Sequence, residues 1–285
     1  MLIIVGSVIV MASMLVGFML AGGNPIVLLH VSEFVVIGGI TIGVFVISTP
    51  IGVMKKLMAD LLGSLKGGAV SSTEVDEMFK LLYELFMLGR RNGLLALDEH
   101  FSDTASSPIF NRYPTFMADH KRVSLLCNSM RPVIDGKIKP EQLSGLIESE
   151  LKGIEEEAHE TTGVLTLIGD SLPGIGIVAA VLGIINTMGS IADGPESVGY
   201  KVAAALTGTF LGIFAAYGFI NPMNKALEFR YNVQHSFYKA LAEAIVGFTR
   251  GLSPIMALEI ARRALPEGLQ MGPDELEDRL KAIGH

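Results

Sequence analysis

The strongest pattern in the sequence is a pair of apolar runs, residues 171–192 and 202–224, in which no Asp, Glu, Lys or Arg occurs. Each run is long enough to cross a lipid bilayer as a helix of about 20 residues. The short connection between them carries Asp193 and Glu196. The pattern therefore predicts two membrane-spanning helices joined as a hairpin.

Small residues recur along both arms of this hairpin. In the second arm they recur every four residues, which places them on one face of a helix. Such faces let two helix backbones approach closely in lipid, where no hydrophobic effect drives helices together. The small residues are Gly176, Ala180, Gly183, Ala204, Gly208, Gly212 and Ala216.

Two further apolar runs precede the hairpin. Residues 2–20 are uncharged and lack the basic flank and cleavage site of a signal peptide, so they predict a first span. A Gly-Gly-Asn-Pro turn follows, and residues 34–54 predict a second span. His30 and Glu33 precede this second run, so we expect Glu33 to be a carboxylate at the membrane interface.

Basic residues give the topology. Lys55, Lys56 and Lys66 follow the second span and Lys225 follows the fourth, whereas the two short connections carry no positive charge apart from Lys201 at the edge of the fourth span. By the positive-inside rule, both termini and both long segments are cytoplasmic. We expect a multi-pass membrane protein.

The intervening segments have helical patterns. Ser71-Ser72-Thr73 can cap a helix that begins at Glu74, residues 89–93 predict a break, and Pro140 suits a helix start. The helices from Pro140 and after the fourth span are expected to run continuously into the membrane spans as stalks. The last twenty residues are polar and acidic, and we expect them to be poorly ordered.

The predicted fold is an all-α integral membrane protein with four transmembrane helices and a large helical cytoplasmic domain. Its segments are residues 1–54 (helices one and two), 55–170 (cytoplasmic domain), 171–224 (helices three and four) and 225–285 (cytoplasmic C-terminal helices and tail).

Composition agrees with this class. Half of the 285 residues are hydrophobic and only 18% are charged, against about 25% in a soluble domain. The net charge of −7 argues against a nucleic-acid partner. Cys127 is the only cysteine, so the sequence allows neither an intrachain disulfide nor a site of several thiolates, and the six His have no metal spacing.

Motifs of known enzymes fail on context. Gly174-x-Gly176-x-x-Ala179 matches a dinucleotide-binding fingerprint, but it lies inside an apolar run as long as a bilayer, where no strand precedes it. His159-Glu160 lacks the second His of a zinc-protease motif, because Gly163 stands in its place. We predict that the chain is not an enzyme and needs no cofactor or metal.

The charges within the spans leave two possibilities. Proton transport through lipid normally needs a carboxylate or His at depth, whereas Glu33, Asp170 and Asp193 all lie at the ends of spans. Either the chain moves no ions, or it lines a path whose titrating group belongs to another chain. The hydroxyls of Thr187 and Thr209 would suit the second possibility, although each has a simpler interpretation as a hydroxyl bonded to its own helix.

Three motifs resemble the MotA family of flagellar motor stator proteins, in the right order along essentially the whole chain. The run from Pro173 to Gly183 is similar to the family's third span, and the run from Gly208 through Asn221-Pro222 to its fourth. Arg90-x-x-Gly93-Leu-Leu-Ala-Leu-Asp98 is similar to its cytoplasmic signature.

The resemblance implies a ring of five chains around two copies of a single-span partner, MotB, whose membrane Asp supplies the missing carboxylate. Proton flow past that Asp would turn or reshape the ring against the rotor protein FliG. It also implies that Pro173 and Pro222 are functional prolines, and each could act as a hinge because it lacks an N–H. Without the resemblance, Pro173 would be a first-turn residue and Pro222 the end of a span.

Individual residues follow from the same resemblance. Thr209 matches a threonine that faces the ion path. Ala180 stands where sodium-driven relatives carry Thr and proton-driven ones Ala, which predicts the proton as coupling ion.

The resemblance also predicts a rotor interface. Arg90 matches a rotor-facing Arg, and Glu150 matches another family charge. Asp98 falls where the family usually has Glu, and Glu99 is adjacent, so either can be the acidic partner. Without the resemblance, all of them would be solvated surface charges.

Two alternatives remain at this point. One is a TolQ- or ExbB-like proton channel subunit that energises an outer-membrane system, although those relatives have three spans. The other is a passive membrane scaffold that moves no ions.

Overall fold

The chain folds into helices joined by short turns, and no strand occurs among the residues that the computed structural model describes, 2–67, 69–189 and 191–283. The α-helices are α1 Leu2–Leu20, α2 Val31–Ser48, α3 Ile51–Lys66, α4 Ser72–Asn92, α5 Asp98–Ser102, α6 Pro114–Met117, α7 His120–Ile134, α8 Pro140–Met188, α9 Pro195–Ala215, α10 Asn221–Thr249, α11 Pro254–Ala264 and α12 Pro273–Lys281. Short 3₁₀ turns connect some of them, and a π-helix, Ala216–Ile220, lies between α9 and α10. The all-α prediction is confirmed.

Four helical stretches of the described residues are long and apolar enough to cross a membrane. They are α1, Pro25–Ser48, α8 and Pro195–Thr249. The predicted first span agrees with α1, and both predicted stalks are continuous helices. The second span differs, because α2 ends at Ser48 instead of continuing to residue 54. Pro50 disfavours helical geometry at the preceding Thr49, which is extended with φ −126° and ψ 122°.

Contacts divide the chain into two units, which we call the membrane unit (residues 1–67 and 158–229) and the globular unit (residues 68–157 and 230–285). These limits are defined by contacts and lie at other positions than the predicted membrane boundaries. The segment limits 54, 170 and 224 therefore stay predictions.

In the globular unit, α4 presents an apolar face to a core of aromatic side chains. Its N-terminus is fixed by a capping box, in which the Ser71 hydroxyl accepts from the Glu74 N–H at 3.2 Å and the Glu74 carboxylate accepts from the Ser71 N–H. The helix passes Gly89 without a break and ends only at Gly93, whose φ of +85° suits glycine. The largest fully buried aromatic side chains are Phe79, Phe86, Phe101, Phe110, Phe116 and Phe237.

Arg122 is a buried charge in this core. Its guanidinium donates to Glu74 at 2.7 Å and lies 4.4 Å from the centroid of the Phe237 ring. A buried Arg is tolerated because it is paired in this way, and breaking such a pair costs about 3–5 kcal/mol. The contact joins α7 to the start of α4 and to α10.

The expectation of a poorly ordered tail is wrong for most of its length. Residues 273–281 form α12, in which Leu276 and Leu280 are buried and Arg279 pairs with Asp76 of α4 at 2.9 Å. Two leucines four residues apart make an apolar face on an otherwise charged helix. Gly284 and His285 lie outside the described residues.

In the membrane unit, α8 and α9 pack backbone to backbone through the predicted small residues. A Cβ added at Gly176 would lie 2.9 Å from the carbonyl oxygen of Gly208, and one at Gly183 would lie 2.8 Å from the Cβ of Ala205. A Cβ at Gly212 would lie 2.5 Å from the carbonyl oxygen of Leu172. The predicted close-packing face is therefore present, and the two arms run antiparallel.

Replacing Gly212 with alanine should destabilise this packing, because the new methyl group meets backbone on the facing helix. We expect Gly212→Ala to lower stability by about 1–3 kcal/mol, measured as thermal unfolding of the detergent-solubilised chain. Gly199→Ala, on the same helix but with open space around the position, is the control. Equal unfolding temperatures for the two variants would contradict the close contact.

Candidate functional site

The predicted path residues Ala180 and Thr209 lie in one layer of the α8–α9 contact. A Cβ added at Gly208 would be 3.3 Å from the backbone nitrogen of Ala180, and one at Gly176 would be 3.3 Å from the Cα of Thr209. Ala180 is buried and Thr209 is half-buried. The close packing of glycines therefore holds both residues at the same level of the hairpin.

The threonine hydroxyls of this hairpin differ in their hydrogen bonds. The Thr187 hydroxyl donates to the Gly183 carbonyl at 2.8 Å, and that of Thr207 to the Ala203 carbonyl at 3.0 Å. For Thr187 the simpler interpretation, a hydroxyl bonded to its own helix, is thus confirmed. Among the described residues the Thr209 hydroxyl has no such bond, so it is available to a group from outside the chain. Thr187 lies about two helical turns after Ala180, near the C-terminal end of α8.

Pro173 lies in the interior of α8, 33 residues after the helix begins, so its interpretation as a first-turn residue is wrong. A proline there cannot donate to the carbonyl four residues earlier, which belongs to Gly169. Gly169 is the residue that faces Asn221, because a Cβ at Gly169 would overlap the Asn221 amide oxygen. The helical hydrogen bond that Pro173 cannot make is therefore missing at Gly169, beside Asn221, the residue before Pro222.

Pro222 does not end the helix, which continues through it to Thr249, so its interpretation as the end of a membrane span stays a prediction. The π-helix comes immediately before it, and the Asn221 N–H donates to the Ala216 carbonyl, five residues back. π-Helical turns of this kind often mark functional sites in helices. The structure thus places Gly169, whose carbonyl Pro173 leaves without its usual helical donor, beside Asn221, which lies between the π-helix and Pro222.

Asparagine side chains continue this contact toward the ends of the spans. The Asn224 amide donates to the Thr166 hydroxyl at 2.8 Å, while the Asn224 Oδ1 atom is buried without a hydrogen-bond partner among the described residues. Hydrogen bonds of this type between membrane helices are each worth about 0.6–2 kcal/mol. The Asn224–Thr166 bond fixes α8 against α10 close to Pro222.

The sequence interpretation missed the environment of Glu33. This residue lies in the first turn of α2, and its carboxylate is buried against other parts of the chain, while its place at the membrane interface stays a prediction. Its Oε2 atom would be 2.7 Å from a Cβ added at Gly208. A carboxylate therefore lies against the layer of Ala180 and Thr209. The apolar periodicity of α2 alone could not indicate which residue of α9 it meets.

The predicted rotor residues Arg90, Asp98 and Glu99 are exposed on one turn of the globular unit. The turn forms because the 3₁₀ segment Leu94–Leu97 folds back on α4, so that a Cβ added at Gly89 would be 3.0 Å from the Leu97 side chain. The buried Leu97 thus packs the segment that leads to Asp98 and Glu99 against the end of α4, which carries Arg90.

The two acidic residues of this turn have different partners. Asp98 accepts a hydrogen bond from the Ser102 hydroxyl at 3.3 Å, whereas Glu99 lies 3.4 Å from Nε2 of the buried His100. The Glu99 side chain is 81% exposed, so this contact leaves it free to meet another protein. Their assignment to the rotor stays a prediction.

Glu150 lies on a different element, α8, and is half-buried. Burial raises the pKa of the Glu150 carboxyl above its usual value, and a hydrogen bond from Asn128 of α7 opposes this with a smaller effect. It is therefore not a simple solvated charge. No group of three or more His, Cys, Asp or Glu among residues 2–67, 69–189 and 191–283 could hold a metal ion.

Comparison with known proteins decides between the alternatives. Residues 4–93 match the family described as "Motility protein A N-terminal". Residues 117–240 match the family described as "MotA/TolQ/ExbB proton channel family". Motility protein A of Escherichia coli is 30% identical over 284 residues, which is 99% of this chain and 96% of the relative. The chain belongs to the motility protein A family.

Other relatives agree with this membership. Chemotaxis protein LafT of Vibrio parahaemolyticus is 32% identical over 87% of each chain. Among solved structures, MotAB of C. jejuni matches with a TM-score of 0.76 and 26% identity, covering 93% of this chain and 95% of that one. The flagellar MotAB stator complex of Bacillus subtilis shares the fold, with a TM-score of 0.73 at 22% identity over 98% of each chain.

Membership confirms the predicted function as a proton-conducting stator subunit of the flagellar motor. The match to a motility-specific N-terminal model, together with similarity along the whole chain, favours this function over the TolQ- or ExbB-like alternative. The chain is an integral membrane protein.

The pKa of Glu150 gives a testable pH dependence. Because the folded chain holds its proton to higher pH than the unfolded chain does, the free energy of unfolding should fall as pH rises through the usual carboxyl pKa. Glu150→Gln should remove this fall and leave the chain up to about 1 kcal/mol more stable at neutral pH. Denaturant unfolding of the full chain across pH 3–7 would measure it.

Glu148→Gln, an exposed neighbour on the same helix, is the control and should leave the pH profile unchanged. A Glu150→Gln profile that follows the wild type at every pH would show that burial of this carboxylate has no effect on stability.

Proposed function

We propose that this chain forms a ring, expected to contain five copies, around two copies of a MotB-type single-span partner that carries a membrane Asp. Proton passage between the chains then drives movement of the ring against the rotor protein FliG. The complex lies in the bacterial inner membrane, with both termini of this chain in the cytoplasm. The coupling ion is the proton, no other cofactor is needed, and the chain catalyses no chemical reaction.

The observation that carries the proposal is the layer of Ala180 and Thr209. The α8–α9 contact leaves no room for large side chains there, and it presents a hydroxyl that is not bonded to its own helix. Such a group can bind a proton-carrying water or a carboxylic acid brought by another chain.

Two observations support a MotB-type partner: the absence of carboxylates from two apolar runs, and the MotAB composition of the similar solved structures. The apolar runs 171–192 and 202–224 contain no Asp or Glu, so these two arms supply no titrating carboxylate of their own to the layer of Ala180 and Thr209. The similar solved structures are complexes of MotA with MotB. A carboxylate contributed by the partner would complete the path.

The two prolines supply a means of movement. Pro173 and Pro222 each interrupt regular helical hydrogen bonding, and sharp helix kinks occur mostly at prolines, π-bulges and similar interruptions. Protonation of the partner's Asp removes one negative charge from the proton path. The neutral side chain then prefers a different position against the helices of this chain. We propose that α8 and α10 respond at these two interruptions.

Proton flux in vesicles should require both chains. We expect flux from this chain with a MotB-type partner whose periplasmic plug is deleted, none from this chain alone, and loss when the partner's Asp becomes Asn. A pH-sensitive dye inside the vesicles measures it, and replacing sodium with potassium should leave the flux unchanged.

Each other outcome would revise the proposal. Flux from this chain alone would place the essential titrating group within it. Flux that depends on sodium would overturn the proton assignment from Ala180. An assembled complex that never conducts would support the passive scaffold.

The exposed charge of Arg90 should act in docking and not in folding. We expect Arg90→Glu to abolish motility while thermal stability changes by no more than about 0.5 kcal/mol, because the side chain is exposed. Reversing its acidic partner on FliG should restore swimming in the double variant. The neighbouring exposed Arg91, changed to Glu, is the matched control, and a double variant that stays immotile would refute this pairing.

A further inference from the structure

The most costly unexplained feature of the membrane unit is a pair of buried titratable side chains, His30 and Glu33. Their residues are only 9% and 5% exposed. The Nε2 atom of His30 and the Oε2 atom of Glu33 have no hydrogen-bond partner among the described residues. Glu33 Oε1 accepts only a long hydrogen bond, 3.5 Å, from Ser32. Buried polar atoms that are not bonded destabilise a fold.

The position of the Glu33 carboxylate is deep along the hairpin. It lies against Gly208, which is thirteen residues after the start of α9 at Pro195 and twelve before the end of the π-helix at Ile220. At a rise of 1.5 Å per residue these distances are about 20 Å and about 18 Å. The carboxylate therefore meets the second arm at the middle of the helical stretch 195–220 and six residues inside the apolar run 202–224.

The same layer contains the path residues. A Cβ added at Gly208 would lie 2.7 Å from Glu33 Oε2 and 3.3 Å from the backbone nitrogen of Ala180, and Thr209 is the next residue along α9. Only a glycine at position 208 leaves room for the carboxylate here. Glu33 thus reaches the layer from α2, on a helix distinct from those that carry Ala180 and Thr209.

His30 extends the polar pair along the start of α2. It precedes the first residue of the helix, and its ring is close enough to interact electrostatically with the Glu33 carboxylate. The exposed Tyr200 of α9 packs edge-on against it, with ring centroids 5.4 Å apart. Among the described residues, the titratable groups that face Glu33 are therefore His30, immediately before α2, and, beyond His30, Tyr200 on α9.

We propose that Glu33 is a second titrating group of the proton path, with His30 as its neighbouring exchange group. The Glu33 carboxylate takes up a proton on Oε2, forming the neutral acid, and returns the carboxylate when the proton moves on toward the layer of Thr209. His30 accepts a proton on Nε2 and releases it from the same ring, so that no other reactant is consumed. This inference rests on the proposed function of the chain.

A purely structural role does not account for the pair. Replacing buried charges by apolar residues of similar size is often neutral or stabilising, so an incompletely bonded carboxylate contributes little to the fold. Ionisable residues inside membrane segments are rare and mostly belong to transport paths. The Glu33 side chain also points into the layer where close packing has left space for it.

The test is proton flux in the assembled complex with the MotB-type partner, together with infrared difference spectra. Glu33→Gln keeps the shape but cannot titrate, so we expect flux to fall about tenfold or more. Glu33→Asp should restore part of the flux. In the wild type, a carboxylic-acid carbonyl band should titrate over the pH range where flux changes, shift in Glu33→Asp and vanish in Glu33→Gln. Glu196→Gln, an exposed acid of α9, is the control.

The outcomes separate this inference from the function on which it rests. If the wild-type complex conducts and Glu33→Gln conducts equally, Glu33 is not a titrating group although the stator function stands. If the wild-type complex does not conduct, the proposed function fails and the relay fails with it. If Glu33→Gln does not assemble, the wild-type spectrum decides, since a carboxyl band that does not titrate would overturn the proposal.

Discussion

The membrane unit depends on the direct backbone contact between α8 and α9. In lipid, apolar side chains gain nothing by leaving the solvent, so two helices hold together only through close van der Waals contact and a few hydrogen bonds. Glycines at 176, 208 and 212 make that contact possible. The contact also fixes which residues share a level, and so it places Ala180 and Thr209 together and leaves space for the carboxylate of Glu33.

The globular unit follows a different physical rule, because its aromatic core gains free energy from leaving water. Phe86 and Phe248 stack with ring centroids 4.2 Å apart, and the Arg122–Glu74 pair lies inside the same core. Charged residues are therefore tolerated in this core where they are paired. Beside the exposed Arg90, the Leu97 side chain packs against α4 at Gly89. One chain thus uses close backbone packing in one unit and large side chains in the other.

Much of this architecture could be predicted from the sequence, since the features concerned depend on local residue pattern. The first span, the stripe of small residues, the cap at Ser71 and the continuous stalk helices are of this kind. Tertiary features could not be predicted. The π-helix before Pro222 depends on packing, the tail helix α12 on two leucines that meet α4, and the burial of Glu33 on the residue of another helix that it faces. Only the three-dimensional structure distinguishes the Thr187 hydroxyl, which donates to its own helix, from the Thr209 hydroxyl, which does not.

The globular unit is assembled from two stretches of chain, residues 68–157 and 230–285, with both arms of the hairpin between them in sequence. During synthesis, the first stretch is complete before Phe237 and Phe248 exist to cover its aromatic side chains. At 5–20 residues per second, the ribosome needs on the order of ten seconds to supply them. Throughout that interval Phe79, Phe86 and Phe116 belong to an unfinished core. The order of translation therefore supplies both arms of the hairpin before the globular unit can complete its core.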